Sequence, residues 1–433
     1  MWLLYELLYL IGFVLYLPSA LWRRRLPHAG WTMRLGWYPA ALRERLAGRR
    51  SIWVHAVSVG EALAAQPLLQ RLRQAYPDNP LAISTITPGG FDVASKRLGA
   101  RDAVLYLPLD LQGCVDRALD ALSPRILILM ESELWPMLIR RAYARGIPVV
   151  VVNGRMSPRA FRRAQWFKPW LGGMLGRVAT FLMQSREDAG RLLAVGASPG
   201  RVHVAGSLKW DASLGSRPDP GAIAALSRRL GLQDNEQIIV GGSTHRGEEA
   251  VLLQAFQSLA TSGRRRRLIL APRYLERLSE VEGVATTRGL QLVRLSEAKP
   301  ESAWDVGLVD AFGQLPLYYG LASVVFIGGS LIPHGGQNPL EATSLGKPVV
   351  FGPSMHNFAV IAHELLAHHA ARQVGTADEL VMLLEELLSH GTESAQMGRR
   401  AQELTEQFQG ASERTLAALQ PLLAGPAWPA GYG

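Results

Sequence analysis

The feature that most limits how this chain can fold is a regular alternation of short, β-rich apolar runs with helical segments. From Ser51 onward the runs fall at 52–57, 81–85, 104–107, 126–130, 149–152 and 180–183. A second series falls at 238–240, 268–270, 292–295, 306–309, 324–327 and 349–351. Runs of this length with helices between them predict mostly parallel sheets covered on both faces. Between the series, 206–221 loses its periodicity and is dense in proline, glycine and serine, so it reads as a linker. The expected architecture is α/β: two doubly wound domains facing across a cleft. The expected segments are an anchor helix (1–22), a first domain (23–207), a linker (208–222), a second domain with terminal helices at 377–388 and 401–423 (223–424), and a loose tail (425–433). A length of 433 residues suits two full cores at about 100–200 residues each.

The segment 2–22 is apolar except for Glu6 and Ser19, and Arg23, Arg24 and Arg25 follow it. Its length approaches the ~20 residues a spanning helix needs, and the arginines would hold the next stretch in the cytoplasm. A cleaved signal peptide is a competing reading, but it calls for positive charge before the apolar region and small residues at a cleavage site, whereas here the arginines follow the apolar segment. An interfacial helix is the alternative to a spanning one. The formal charge is +10, and Arg34, Arg43, Arg45, Arg49 and Arg50 extend the basic stretch. Basic regions meet nucleic acid or anionic lipid, and the apolar neighbour favours lipid. The expected location is the cytoplasmic face of a membrane, with the globular domains in the cytoplasm and no nucleic-acid partner.

Candidate chemistry collects at the carboxyl ends of the runs. After the first, Ser58-Val59-Gly60-Glu61 leads into a helix expected to begin at or just after Glu61. A first-turn carboxylate is ordinary there, because the helix dipole favours it, and a general base at a strand end is the functional reading. Hydroxyls and glycines recur at Thr85, Thr87, Gly89 and Gly90. Glu131 and Glu133, with Trp135, follow the most apolar run, where they suit a polar acceptor or, through Ser132 and Glu133, a helix cap.

In the second series, Gly241-Gly242-Ser243-Thr244-His245 precedes a helical stretch at 246–260, and Arg273 ends the next run, where it suits a phosphate or simply the surface. The segment 327–358 has the grammar of a ligand-binding turn. Asn338 can be an N-cap, Pro339 the first helical residue and Glu341 the capping-box partner. The helix start would bind phosphate and ribose, with His334-Gly335-Gly336 letting backbone approach the ligand. A helix cap alone also explains Asn338 and Glu341. Other motifs fail. No Gly-x-Gly-x-x-Gly follows the first run, and Gly346-Lys347-Pro348 lacks the rest of a P-loop. His363 and His368 stand about 140° apart around a helix, so no zinc site is expected. The single cysteine, Cys114, rules out an intrachain disulfide framework.

Taken together, 55–61, 85–90, 131–136, 153–157, 206–211, 242–249, 271–273 and above all 328–353 resemble the 3-deoxy-D-manno-octulosonic acid (Kdo) transferases of Gram-negative lipopolysaccharide assembly. The resemblance implies a GT-B glycosyltransferase of two Rossmann-like domains, with the acceptor on the first and CMP-Kdo on the second. It makes Glu61 the catalytic base. Donor contacts fall on Ser243, Thr244, His245, Arg273, Gly313, Gln314, Leu315, Gly336, Asn338 and Glu341. Acceptor contacts fall on Ser58, Gly60, Thr87, Gly89, Glu131 and Glu133. Gln314 stands where the family usually has glutamate, Gln337 where it often has histidine, Met137 where asparagine is usual, and Gly89 where threonine is usual.

The reaction so implied is inverting transfer of Kdo from CMP-Kdo to a hydroxyl of a lipid A precursor of the lipid IVA type. Glu61 takes the acceptor proton as CMP departs, and Arg273 and helix-start N–H groups meet the phosphate. The leaving group is already a phosphate, so no metal or other cofactor is expected. Competing readings are another nucleotide-sugar transferase or epimerase on the same scaffold, or a non-catalytic nucleotide- or lipid-binding protein.

Overall fold

A computed structural model describes residues 2–22, 30–97, 99–215, 217–259 and 265–425. The chain divides into two compact units, one made of 1–212 and 409–433, the other of 213–408. Arg23, Arg24 and Arg25 lie outside the described residues.

The first unit holds a seven-stranded sheet: β1 (Ser51–His55), β2 (Leu81–Thr85), β3 (Ala103–Tyr106), β4 (Pro124–Met130), β5 (Val149–Gly154), β6 (Thr180–Met183) and β7 (Val202–Val204). Its order is β3-β2-β1-β4-β5-β6-β7, with every pairing parallel. The runs are apolar throughout because both faces are covered. Along β1 and β4, Ile52, Val54, Ile126 and Ile128 enter one core layer, whereas Trp53, Leu127 and Leu129 enter the layer on the opposite face. The strand order reverses between β1 and β4. Ligands of open α/β sheets bind outside the strand ends at such a reversal, and Glu61 and Glu131 follow these two strands.

The second unit repeats the plan with β8 (Gln237–Thr244), β9 (Arg266–Pro272), β10 (Leu292–Arg294), β11 (Val306–Leu308), β12 (Val324–Ile327), β13 (Val349–Phe351) and β14 (Arg372–Gln373). Its order is β10-β11-β9-β8-β12-β13-β14, again all parallel. Here the order reverses between β8 and β12, which end at Thr244 and Ile327.

Three boundaries differ from expectation. The supposed linker opens with the helix Leu208–Leu214, in which Leu208 and Trp210 are fully buried and the Leu208 N–H donates to Asn153 Oδ1 at 3.0 Å. Tertiary burial there overrides the turn-rich composition. The helix expected at 401–423 breaks at Gly410, whose φ of +86° suits glycine. The two pieces, Gly391–Gln407 and Ala411–Ala424, belong to different units. The latter returns to the first unit, where Leu419 and Leu423 enter the β1–β2 core layer; burying each contributes about 1.5–3 kcal/mol. Asp211 fixes the return by accepting from the N–H groups of Gly410 (2.8 Å) and Ser412 (2.6 Å).

The N-terminal helix α1 (Trp2–Trp22) docks one side on the first unit. The Tyr5 hydroxyl donates to Asp110 Oδ2 at 2.6 Å, Glu6 accepts from the Gln112 N–H at 2.6 Å, and Trp2 lies beneath the Arg140 guanidinium at 4.8 Å. The opposite side carries an exposed stripe of Leu3, Leu4, Leu7, Leu8, Ile11, Val14 and Leu15 at helical spacing. Among the described residues, no helix is long and apolar enough to cross a membrane.

Candidate active site

In the first unit, Ser58 is the N-cap of a helix that begins at Val59, earlier than the sequence suggested. Its hydroxyl accepts from the Glu61 N–H at 3.4 Å and donates to Glu61 Oε1 at 3.3 Å, while Glu61 Oε2 accepts from the Val57 N–H at 2.9 Å. Ser58 is thus an N-cap, and Glu61 reaches back one residue past it, to Val57, rather than closing the reciprocal box that Ser58-x-x-Glu61 spacing allows. These bonds fix the carboxylate in place. Burial, helped by the charges of Glu131 and Glu133 and opposed by the two hydrogen bonds, pushes the Glu61 carboxyl up from 4.5 to about 7. A carboxylate poised near neutrality is suited to taking a proton.

Thr87 caps the helix Pro88–Ser95, accepting from the Gly90 N–H at 3.1 Å. A Cβ on Gly89 would approach Val59 Cγ2 to 3.1 Å, so the two helix starts lie close together here. Gly60, by contrast, faces open space apart from Ser58 Oγ at 3.9 Å.

Glu131 sits in the left-handed region at φ +55°, buried and clamped by Arg155 and Lys209 at 3.3 Å each. Glu133 is half-buried, and burial followed by the Glu131 charge raises its carboxyl. Neither Ser132 nor Glu133 caps the next helix, Pro136–Ala144. The cap comes from Asp110, whose two oxygens accept from the N–H groups of Met137 (2.9 Å) and Leu138 (2.8 Å). Behind the base, His55 is fully buried, with Nδ1 2.9 Å from Ser84 Oγ and Nε2 without a partner among the described residues.

In the second unit the organising residue is one that the sequence reading passed over. Glu248 is fully buried. Its Oε2 accepts from the N–H groups of His245 (2.9 Å) and Gly329 (2.6 Å), and its Oε1 from those of Ser330 (2.9 Å) and Leu331 (3.0 Å). It ties the end of β8 to the turn after β12. Its only signal in the sequence is a glutamate in a helix's first turn, which is common. β8 itself runs on through Gly241 and Gly242 to Thr244, past the turn expected there, with a register shift at Ser243, whose φ is +51°.

Around this clamp stand the expected donor residues. Thr244 is fully buried, and its Oγ1 has no partner among the described residues. The His245 ring lies 4.0 Å from the His334 ring, tilted by 40°, and has Nε2 3.2 Å from Gln337 Nε2. Burial, followed by the nearby His334, Arg273 and Arg277, pushes His245 down to about 4. Arg273 donates its N–H to the Thr244 carbonyl at 2.9 Å and lies over the Tyr274 ring. Its side chain is partly exposed and has no carboxylate within 4.0 Å among the described residues. Gly313 (φ +81°), Gln314 and Leu315 begin the helix Leu315–Leu321; the Gln314 Oε1 accepts from the Tyr318 hydroxyl at 3.4 Å. The next residue of that helix, Tyr319, packs under Gly242, where a Cβ would fall 1.9 Å from its hydroxyl.

The Asn338 turn differs from expectation in two respects. Asn338 Oδ1 accepts from the Leu340 N–H at 3.1 Å, and its Nδ2 faces Glu341 Oε1 at 3.5 Å, which is not the reciprocal box read from the spacing. The helix that follows, Leu340–Thr343, is a single turn, so its dipole is small. Gly335 and Gly336 serve close packing within the protein: a Cβ on either would meet Asn357 Nδ2 at 2.4 Å or Met355 Sδ at 2.2 Å. Burial raises the Glu341 carboxyl, and the Asn338 amide offsets part of that rise.

A family model of 3-deoxy-D-manno-octulosonic-acid transferase (kdotransferase) matches residues 29–212. A 3-deoxy-D-manno-octulosonic acid transferase of Haemophilus influenzae is 33% identical over 376 residues, covering 86% of this chain and 87% of its own length. The chain belongs to this transferase family. A Bordetella pertussis relative of the same description is also 33% identical, over 86% of this chain and 87% of its own. The transferase shares its two-domain fold with a glycosyltransferase from Rickettsia africae, with a TM-score of 0.61 at 11% identity over 88% of this chain and 100% of that one. It is a glycosyltransferase, and both strand-order reversals carry residues suited to that chemistry.

Proposed function

We propose that the transferase moves Kdo from CMP-Kdo to a hydroxyl of a lipid A precursor. The observation that carries the reading is Glu61: a carboxylate at a strand end, held by Val57 and Ser58, with its proton affinity raised to near neutrality. The acceptor hydroxyl attacks the anomeric carbon of Kdo as the bond to the CMP phosphate breaks. Its proton passes to Glu61, the phosphate leaves with the bonding pair, and the configuration inverts. Glu131 is held by Arg155 and Lys209 and serves to shape the acceptor side, and Glu133 stands beside it.

On the donor side, the turn N–H groups of Gly329, Ser330 and Leu331 are committed to Glu248, so they do not bind the phosphate. Arg273 is a cation available to the departing CMP, and Ser243 and His245 supply polar contact, whereas Thr244 is fully buried. Asn338 and Glu341 suit ribose hydroxyls.

The outward stripe of α1 supports a helix that lies in the membrane interface with its opposite side fastened to the first unit. In this reading the enzyme works on the cytoplasmic face of the inner membrane, where the lipid acceptor is presented. The test is Glu61→Gln in a chain shown to be folded. Transfer of labelled Kdo to the lipid acceptor should fall by about 10²–10⁴-fold, with CMP affinity unchanged. Activity within about tenfold of wild type would remove Glu61 from the role.

A further inference from the structure

Asp110 joins three parts of the first unit. It is 1% exposed and follows β3. From α1 it receives the Tyr5 hydroxyl at 2.6 Å, and its own N–H donates to Tyr9 Oη at 3.4 Å. Its carboxylate oxygens are at the same time the cap of the helix Pro136–Ala144, through the N–H groups of Met137 and Leu138. That helix has no cap of its own. It begins immediately after Glu131 and Glu133, the two carboxylates that raise Glu61. α1 also grips the same helix directly, with Trp2 under Arg140 at 4.8 Å.

A buried carboxylate that loses one of three donors must find another or take up a proton, and a protonated Asp110 is a poorer cap. We infer that Tyr5 is a positioning residue for transfer: docking of α1 sets the Glu131–Glu133 segment through Asp110, so the membrane-facing helix and the acceptor side are mechanically one piece. The groups facing Asp110 are Tyr5, Glu6 and Tyr9 from α1 and the two capped N–H groups. Those facing Glu61 are Glu131, Glu133, Ser58 and the Val57 N–H, with Arg155 and Lys209 holding Glu131. With the segment loosened, water reaches Glu61, burial falls, and the base becomes more acidic and weaker.

The inference rests on Glu61 being the base, and the experiment separates the two ideas. The full chain in detergent, with labelled Kdo transfer to the lipid acceptor as the readout, removes any need for vesicle binding. Tyr5→Phe keeps the apolar ring and deletes only the donor. The expected result is a loss in kcat/KM on the order of tenfold, with the acid limb of the pH profile displaced at least about half a unit downward and CMP affinity unchanged. A wild-type pH profile overturns the inference, whether or not the rate falls, because a contact that merely holds the helix in place leaves the limb where it was. Glu61→Gln is measured alongside. If Glu61→Gln retains transfer, the base assignment fails and the inference falls with it; if Glu61→Gln loses transfer while Tyr5→Phe keeps the wild-type profile, the inference alone fails.

Discussion

Replacing Glu248 by glutamine changes one atom of the donor-side turn and tests whether that turn is built on a carboxylate. Each carboxylate oxygen accepts two backbone N–H bonds, Oε2 from His245 and Gly329, Oε1 from Ser330 and Leu331. Whichever way the glutamine amide is turned, its NH2 group faces two N–H donors, so two bonds are lost and two buried donors are left unpaired. Hydrogen bonds to a charged group contribute about 1.5–3 kcal/mol each, which puts the loss at roughly 3–6 kcal/mol. Domains are stabilised by only about 5–15 kcal/mol, so the second unit should be close to unfolding. At about 2–4 °C per kcal/mol for a domain of this size, its melting transition should fall by on the order of 10 °C. Differential scanning calorimetry reads that shift, and CMP titration at low temperature reads the site, where affinity should weaken as the turn between Gly328 and Leu331 loosens. A variant within about 1 kcal/mol of wild type, with unchanged CMP affinity, would refute the reasoning that Glu248 organises the turn.

Three further outcomes are expected. Glu341→Gln should weaken CMP binding while leaving the melting temperature in place, since its amide partner Asn338 can still be met by the glutamine oxygen; calorimetric titration checks it. Changing Leu7 and Val14 on the outward stripe of α1 to aspartate should release the full chain from vesicles of mixed zwitterionic and anionic lipid, read by sedimentation, without altering its far-UV dichroism. His55 is held neutral in the fold by burial, at about 3 against 6.5, so the unfolded chain binds the extra proton between these values. His55 should therefore cost stability progressively as pH falls from 6.5 toward 3, and His55→Gln should flatten that part of the denaturation profile measured in urea.

Much of the fold was legible because the interior strands are apolar on both faces, and each of the twelve β-rich runs lies on a strand. The two strands that went unread are edges. β7 is Val-His-Val with two exposed residues, and β14 is the exposed pair Arg372-Gln373, so neither carries a burial pattern. Local grammar identified sites better than it identified roles. Ser58 and Glu61 each stand out in the sequence, but the hydrogen bonds that tie Glu61 to Ser58 and Val57 do not, and the cap expected of Ser132 and Glu133 belongs to Asp110, more than twenty residues earlier. Glu248 was invisible for the same reason: its partners at Gly329, Ser330 and Leu331 are eighty residues downstream. A carboxylate committed to backbone N–H groups across the fold cannot be told from an ordinary first-turn glutamate until the chain is folded.

The most direct measurement is the pH dependence of kcat/KM for Kdo transfer, because that ratio reports the free enzyme's essential base. Deprotonated Glu61 is the active form, so activity should be full above about pH 7 and fall tenfold per unit below it. The residual activity of Glu61→Gln should show no such limb. An acid limb centred near the ordinary glutamate value of 4.5, or a limb near 7 that survives in Glu61→Gln, would contradict the assignment of Glu61 as the base.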